Sequence, residues 1–83
     1  MARVLVSAEA GVQFENLPKS IKARVLSILQ RLADWPQVSG AKPLRHGLVG
    51  RYRIRTGSYR VQFRVTGDDV IVEKIGDRDG FYD

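Results

Sequence analysis

Between positions 51 and 64 the chain sets Arg51, Arg53, Arg55, Arg60 and Arg64 in alternation with Tyr52, Ile54, Val61 and Phe63, around a Gly57-Ser58 break. A guanidinium is a planar, permanently charged fork of donors that matches the oxygens of a phosphate, so arginines repeated in this way are suited to gripping a polyanion. Alternation is also the period of a strand. If Gly57 and Ser58 form a two-residue type II′ turn, Arg55 faces Arg60, Arg53 faces Gln62, and Arg51 faces Arg64. The five arginines and Gln62 then share one side of a hairpin, and Tyr52, Ile54, Val61 and Phe63 share the other, toward a core. A slip of one residue mixes the two sets, so the apolar pattern itself selects the register. Like charges directly opposite on a sheet destabilise it by up to about 1 kcal/mol per pair. An acid-free row of this kind is therefore expected to meet an anionic partner; the alternative is a solvated face that keeps the sheet soluble.

The charge distribution sharpens this expectation. From Trp35 to Gly67 the basic residues are Lys42, Arg45, Arg51, Arg53, Arg55, Arg60 and Arg64, with no Asp or Glu, while the whole chain carries only +5. The remainder is thus net acidic. A pI near 10.1 points to a polyanionic partner, nucleic acid or an acidic protein. The chain has no cysteine and one histidine, which exclude a disulfide framework, a thiolate metal site and a histidine-rich one; no cofactor is expected, and a reducing cytoplasm is the natural location. Residues Met1 to Ser7 lack the form of a secretory signal, and no run approaches a membrane span, so no membrane partner is expected.

The elements that must hold the arginines follow from the rest of the chain. With 83 residues, 43% hydrophobic and 28% charged, it is expected to fold as one domain over residues 1–83 with a modest core. Val4 to Val6 reads as a short first strand. Ser7 can then N-cap a brief helix in which Ala10, Phe14 and Leu17 share a face and Glu9 suits the helix dipole. Pro18 fits the first turn of a second helix with an apolar stripe of Ile21, Val25, Ile28, Leu29 and Leu32, ended by Pro36 just after Trp35, itself a core candidate. The two helices should form a hairpin. Val38 to Val49 shows no sustained period and reads as a loop. Arg51–Thr56, Tyr59–Val65 and Val70–Ile75 read as strands separated by Gly57-Ser58 and Gly67-Asp68. The expected fold class is α+β: a first strand and a two-helix hairpin packed on a small, mainly antiparallel four-stranded sheet, in the order β-α-α-β-β-β.

Gly50-Arg-Tyr-Arg-Ile-Arg-Thr-Gly-Ser-Tyr-Arg60, continuing Val-Gln-Phe-Arg-Val, resembles the central hairpin of the RelE/ParE toxin superfamily. Gly76-Asp-Arg78-Asp-Gly-Phe-Tyr82 resembles that family's closing Gly-His-Arg-x-x-Val-Tyr signature, and Pro43-Leu44-Arg45 fits the loop before the hairpin. The resemblance covers essentially the whole chain and implies the toxin of a type II toxin–antitoxin pair. In the RelE branch such a protein enters the ribosomal decoding site and cuts messenger RNA; in the ParE branch it inhibits DNA gyrase without hydrolysing nucleic acid. Carried over by position, Arg60 and Arg78 match arginines that stabilise the reacting phosphate. Arg53 and Arg55 match basic residues for substrate binding and proton transfer, and Tyr82 matches a terminal tyrosine that positions RNA or moves protons. Two departures bear on catalysis. Asp77 stands where many members have histidine, and the stretch before Arg51 lacks the glutamate that one branch uses as general base.

Metal-independent RNA cleavage uses the 2′-hydroxyl as internal nucleophile. The protein must help remove its proton, stabilise a charged phosphorane and protonate the departing 5′-oxygen. Clustered arginines suit the second task and are poor proton carriers, while an unperturbed tyrosine, near pKa 10, is also badly matched. His46 alone has an unperturbed pKa suited to the task; otherwise it reads as a solvated loop residue. Tyr82 reads equally as an aromatic packed over a sheet edge. The candidate catalytic residues are thus Arg60, Arg78, Tyr82 and His46, and the candidate RNA-binding residues Arg45, Arg51, Arg53, Arg55 and Arg64. The expected partners are an acidic cognate antitoxin, the ribosome and messenger RNA, with the oligomeric state open. The alternatives are a gyrase inhibitor of the ParE kind and a degenerate RNA-binding member.

Overall fold

The computed structural model describes residues 2–44 and 50–77. Its elements run β1 (Arg3–Val6), α1 (Ala8–Glu15), α2 (Lys19–Arg31), a 3-10 turn (Leu32–Asp34), β2 (Lys42–Pro43), β3 (Arg51–Thr56), β4 (Tyr59–Thr66) and β5 (Asp69–Asp77). All the strands join one sheet in the order β1-β5-β4-β3-β2. Strand β1 runs parallel to β5, and every other neighbouring pair is antiparallel. The α+β class and element order match the expectation, with one correction: the sheet has five strands rather than four. The added strand, β2, lies in the stretch expected to be loop. It consists of two residues, Lys42 opposite Arg53 and Pro43 opposite Tyr52, too few to show a period and including a proline that cannot donate to a ladder.

Local chemistry explains the helix limits. Ser7 Oγ accepts a 3.1 Å hydrogen bond from the Ala10 amide, capping α1. Helix α2 begins after Pro18, whose carbonyl accepts the first helical bond from Lys22 N–H at 2.8 Å. The α-helix stops at Arg31, earlier than expected, and tightens into the 3-10 turn before Trp35 adopts extended angles (φ −50, ψ 136). A residue preceding proline is driven out of the α region, and Trp35 precedes Pro36.

One face of the sheet carries the core. Ala10 of α1, Val25 and Ile28 of α2, and Leu32 of the 3-10 turn pack with Ile54, Val61, Phe63, Val70, Val72 and Ile75, all at 4% exposure or less. Burying side chains of this kind contributes roughly 1.5–3 kcal/mol each. Trp35 caps the cluster, its ring 4.7 Å from Tyr52 and 5.3 Å from Phe63.

A bulge in β5 shapes the opposite face. Phe63 pairs with Val72 but Gln62 pairs with Lys74, so Glu73 is the extra residue. Strict alternation after Val72 would have turned Lys74 inward and Ile75 outward. The bulge turns Glu73 and Lys74 outward together and returns Ile75 to the core. Beyond Val72 the strand β1 no longer covers β5, and helix α1 takes over its edge. Ser7 N–H donates to the Val72 carbonyl (2.9 Å), Ser7 Oγ to the Glu73 carbonyl (3.2 Å), and Ile75 N–H to Gln13 Oε1 (2.7 Å). An edge that could pair with another chain is thereby blocked.

Candidate nucleic-acid interface

The β3–β4 hairpin has the register that the alternation dictates: Arg55 opposite Arg60, Ile54 opposite Val61, Arg53 opposite Gln62, Tyr52 opposite Phe63, Arg51 opposite Arg64. Gly57, at φ 62, occupies the first position of the turn, a left-handed conformation that glycine adopts without strain. Because Ile54, Val61 and Phe63 lie in the core, the arginines of both strands point away from it. Directly opposite residues share a face, so Arg51, Arg53, Arg55, Arg60 and Arg64 form one set.

Pairing on either side widens the set in a way the hairpin alone does not reveal. Lys42 of β2 stands opposite Arg53, Arg53 opposite Gln62, and Gln62 opposite Lys74, giving a row across β2, β3, β4 and β5. The neighbouring row runs from Arg51 through Arg64 to Ile71 and then Leu5 of β1. Basic character therefore fades toward the β1 edge, where Arg3 binds Asp69 through two 3.0 Å hydrogen bonds. That contact holds the Asp69 carboxyl below the usual carboxylate range and raises the Arg3 guanidinium above its ordinary value.

Two expectations need correction. The row is not free of acid, because the bulge brings Glu73 in from β5. Its carboxylate accepts from Arg51 Nε at 3.0 Å and Nη2 at 3.5 Å and from Gln62 Nε2 at 3.5 Å, and it lies 3.5 Å from Arg64 Nε. The Arg64 contact is an ion pair without hydrogen-bond geometry. Glu73 thus offsets the repulsion between the facing Arg51 and Arg64. The second correction concerns exposure. Arg55 is exposed, whereas Arg60 is only 4% exposed, on the central strand with Gly76 opposite it on the β5 side. The outward face is an open set of guanidiniums around one that is enclosed.

Ser7, Glu9, Arg51, Gln62, Arg64, Ile71, Glu73 and Lys74 line an open groove of about 560 Å³ on this face. Its bases, hydroxyl and carboxylates can bind an anion beside a proton-accepting oxygen. Of the sequence candidates, Arg51, Arg53, Arg55, Arg60 and Arg64 share this face. Arg45, His46, Arg78 and Tyr82 lie outside the described residues. Lys42, which the sequence places in the basic stretch but not among the candidate site residues, belongs to the face, as do Lys74 and Glu73, which the sequence does not single out. Among the described residues no group of three or more His, Cys, Asp or Glu could hold a metal ion, and no helix is long and apolar enough to cross a membrane.

Helices on one face of a small mixed sheet, with arginines on the other, define the class of the RelE-like toxin folds. Residues 7–80 match the model of the ParE toxin of type II toxin–antitoxin systems. The chain belongs to this family, within the RelE/ParE superfamily. Among solved structures it is similar to the RelBE2 toxin–antitoxin complex of Mycobacterium tuberculosis, at 28% identity and TM-score 0.79 over 93% of this chain and 98% of that one. The intact RelBE complex of E. coli matches at 21% identity and TM-score 0.79, over 93% and 96% of the two chains. The isolated RelE toxin of E. coli matches at 16% identity and TM-score 0.77, over 93% and 84%. No curated protein sequence matches the chain.

Proposed function

We propose that the protein is a cytoplasmic, one-domain toxin that cleaves messenger RNA on the ribosome, and that its outward sheet face binds the RNA backbone. The observation that carries this reading is the register that sets Arg55 opposite Arg60 and Arg51 opposite Arg64 on a single face. In this reading Arg53, Arg55, Arg51 and Arg64, with Arg45, hold phosphates on either side of the scissile bond. The 2′-hydroxyl attacks the adjacent phosphorus, the bond to the 5′-oxygen breaks, and Arg60, with Arg78, stabilises the phosphorane. His46 or Tyr82 carries the proton transfers. Enclosure of Arg60 suits this role, because a guanidinium shielded from water acts more strongly on developing charge than an exposed one. Its partner in the resting cell is an acidic antitoxin that covers the basic face; RelBE2 of M. tuberculosis and RelBE of E. coli are themselves toxin–antitoxin complexes.

A second reading has a specific observation behind it: the matching family model is that of ParE toxins, which makes gyrase inhibition the competing activity. Primer extension across abundant messages after induction separates the two. New ends in wild-type cells, absent with Arg60→Ala at equal protein level, support cleavage. Intact transcripts in arrested cells, together with loss of supercoiling by purified gyrase, favour the second.

A further inference from the structure

The groove on the outward face holds an acid between two bases. The β5 bulge places the Glu73 carboxylate against both Arg51 and Arg64, the arginines that face each other across β3 and β4. Steadying those two guanidiniums does not use all of its acceptor capacity. A carboxylate offers about four acceptor positions. Among the described residues, Arg51 Nε at 3.0 Å and Gln62 Nε2 at 3.5 Å donate to Oε1, and Arg51 Nη2 at 3.5 Å donates to Oε2. Arg64 Nε lies 3.5 Å from Oε2 without hydrogen-bond geometry, so a position on that oxygen is unspent. The Glu73 side chain is 24% exposed and lines the open groove of about 560 Å³ together with Arg51 and Arg64, where a ligand can reach it.

We infer that Glu73 makes this groove selective for RNA over DNA: Arg51 and Arg64 hold backbone phosphate while Glu73 Oε2 accepts a hydrogen bond from a neighbouring 2′-hydroxyl. An ionised carboxylate has no hydrogen of its own and can bond only to a donor. Along a nucleic-acid backbone the phosphate and ring oxygens are acceptors, and the 2′-hydroxyl of RNA is the one donor. DNA has none. The cation–anion–cation arrangement therefore matches the phosphate and hydroxyl pattern of a ribonucleotide chain. On DNA the same carboxylate meets only acceptors, and its repulsion of phosphate is not offset. Specificity is commonly built in this way, from a repulsive element as well as an attractive one. A basic face lacking such an acid binds either polymer by charge alone.

The inference rests on the proposal that the outward face binds RNA, and one titration separates their failures. Fluorescein-labelled 2′-hydroxyl, 2′-O-methyl and 2′-deoxy single strands of one uridine-containing sequence are titrated, without ribosomes and at one salt concentration, with the full chain. Wild type, Glu73→Gln and Lys42→Gln are compared. Wild type is expected to bind the 2′-hydroxyl strand about tenfold more tightly than the other two, the low end for a hydrogen bond to a charged group. Glu73→Gln should narrow that preference toward unity, chiefly by gaining affinity for the 2′-deoxy strand, with an unchanged far-ultraviolet spectrum. Lys42→Gln, which removes a charge from the same face and leaves the carboxylate in place, should weaken all three alike. A preference that survives Glu73→Gln intact, or a wild type that does not distinguish the strands, overturns the inference and leaves RNA binding by the outward face standing. Equal binding of the 2′-hydroxyl and 2′-O-methyl strands also overturns it, since the methyl ether has no hydrogen to donate. Wild type that binds none of the strands removes the inference and the RNA reading together.

Discussion

Arg51 Nε and Glu73 Oε1 lie 3.0 Å apart although their residues are separated by 22 positions and sit on non-adjacent strands. The contact crosses β4, and the bulge at Glu73 is what turns that carboxylate onto the outward face. An internal acid among bases does two opposed things: it steadies the facing guanidiniums, and it occupies oxygen-binding positions that a phosphate would otherwise take.

Glu73→Gln separates those effects. Stability should fall by about 1 kcal/mol, the low end for a charged hydrogen-bond network because the partners are partly solvated. RNA affinity at low salt should rise, since Arg51 and Arg64 are then both available. Urea unfolding and an RNA titration on the same preparation check the two; a variant that is both less stable and weaker in RNA binding contradicts this role.

Gln13→Ala should expose the β5 edge. The side chain satisfies Ile75 N–H at 2.7 Å, and an unsatisfied buried donor costs about 1–3 kcal/mol. Amide hydrogen exchange at Ile75 is expected to speed up more than at Val61, its neighbour on β4. Equal acceleration at both would mean that the whole sheet has loosened instead.

The Arg3–Asp69 contact ties stability to acid. Because the folded carboxyl lies below its unfolded value, near 3.9, its contribution is fully present above that value and is lost as pH falls through the lower folded one. The stability difference between wild type and Asp69→Asn should therefore be constant from pH 7 to about 5 and shrink as the pH is lowered toward 2. A difference that does not change over this range would remove the linkage.

Much of this architecture was legible in the chain because independent signals agreed. Alternation from Arg51 to Arg64 and the Gly57-Ser58 turn both demand one register, and the observed pairs follow it residue by residue. Ser7 was readable as a cap because a serine just before an amphipathic run has a local partner, the amide three residues on, that does not depend on distant contacts. Strand β2 was not readable, since Lys42 and Pro43 pair only once β3 is in place. Glu73 does leave a trace in the sequence: Glu73-Lys74 between Val72 and Ile75 breaks the alternation, and a bulge keeps both apolar residues inside. The burial of Arg60 goes with its place on the central strand, flanked by β3 and β5, a relationship that exists only after the sheet forms. Arg45, His46, Arg78 and Tyr82, on which proton transfer and part of the phosphate contact depend in the proposed mechanism, lie outside the described residues.

The most direct measurement is single-turnover cleavage of a defined message on purified ribosomes by wild type, Arg60→Lys and Arg60→Ala. Loss of one preorganised donor to developing charge typically costs about 10²–10³ in rate. Arg60→Ala is expected to fall by that factor with ribosome binding retained, and Arg60→Lys to lie between. Equal rates for all three, or a message left whole by wild type at saturating concentration, would contradict a sheet face built to act on RNA phosphate.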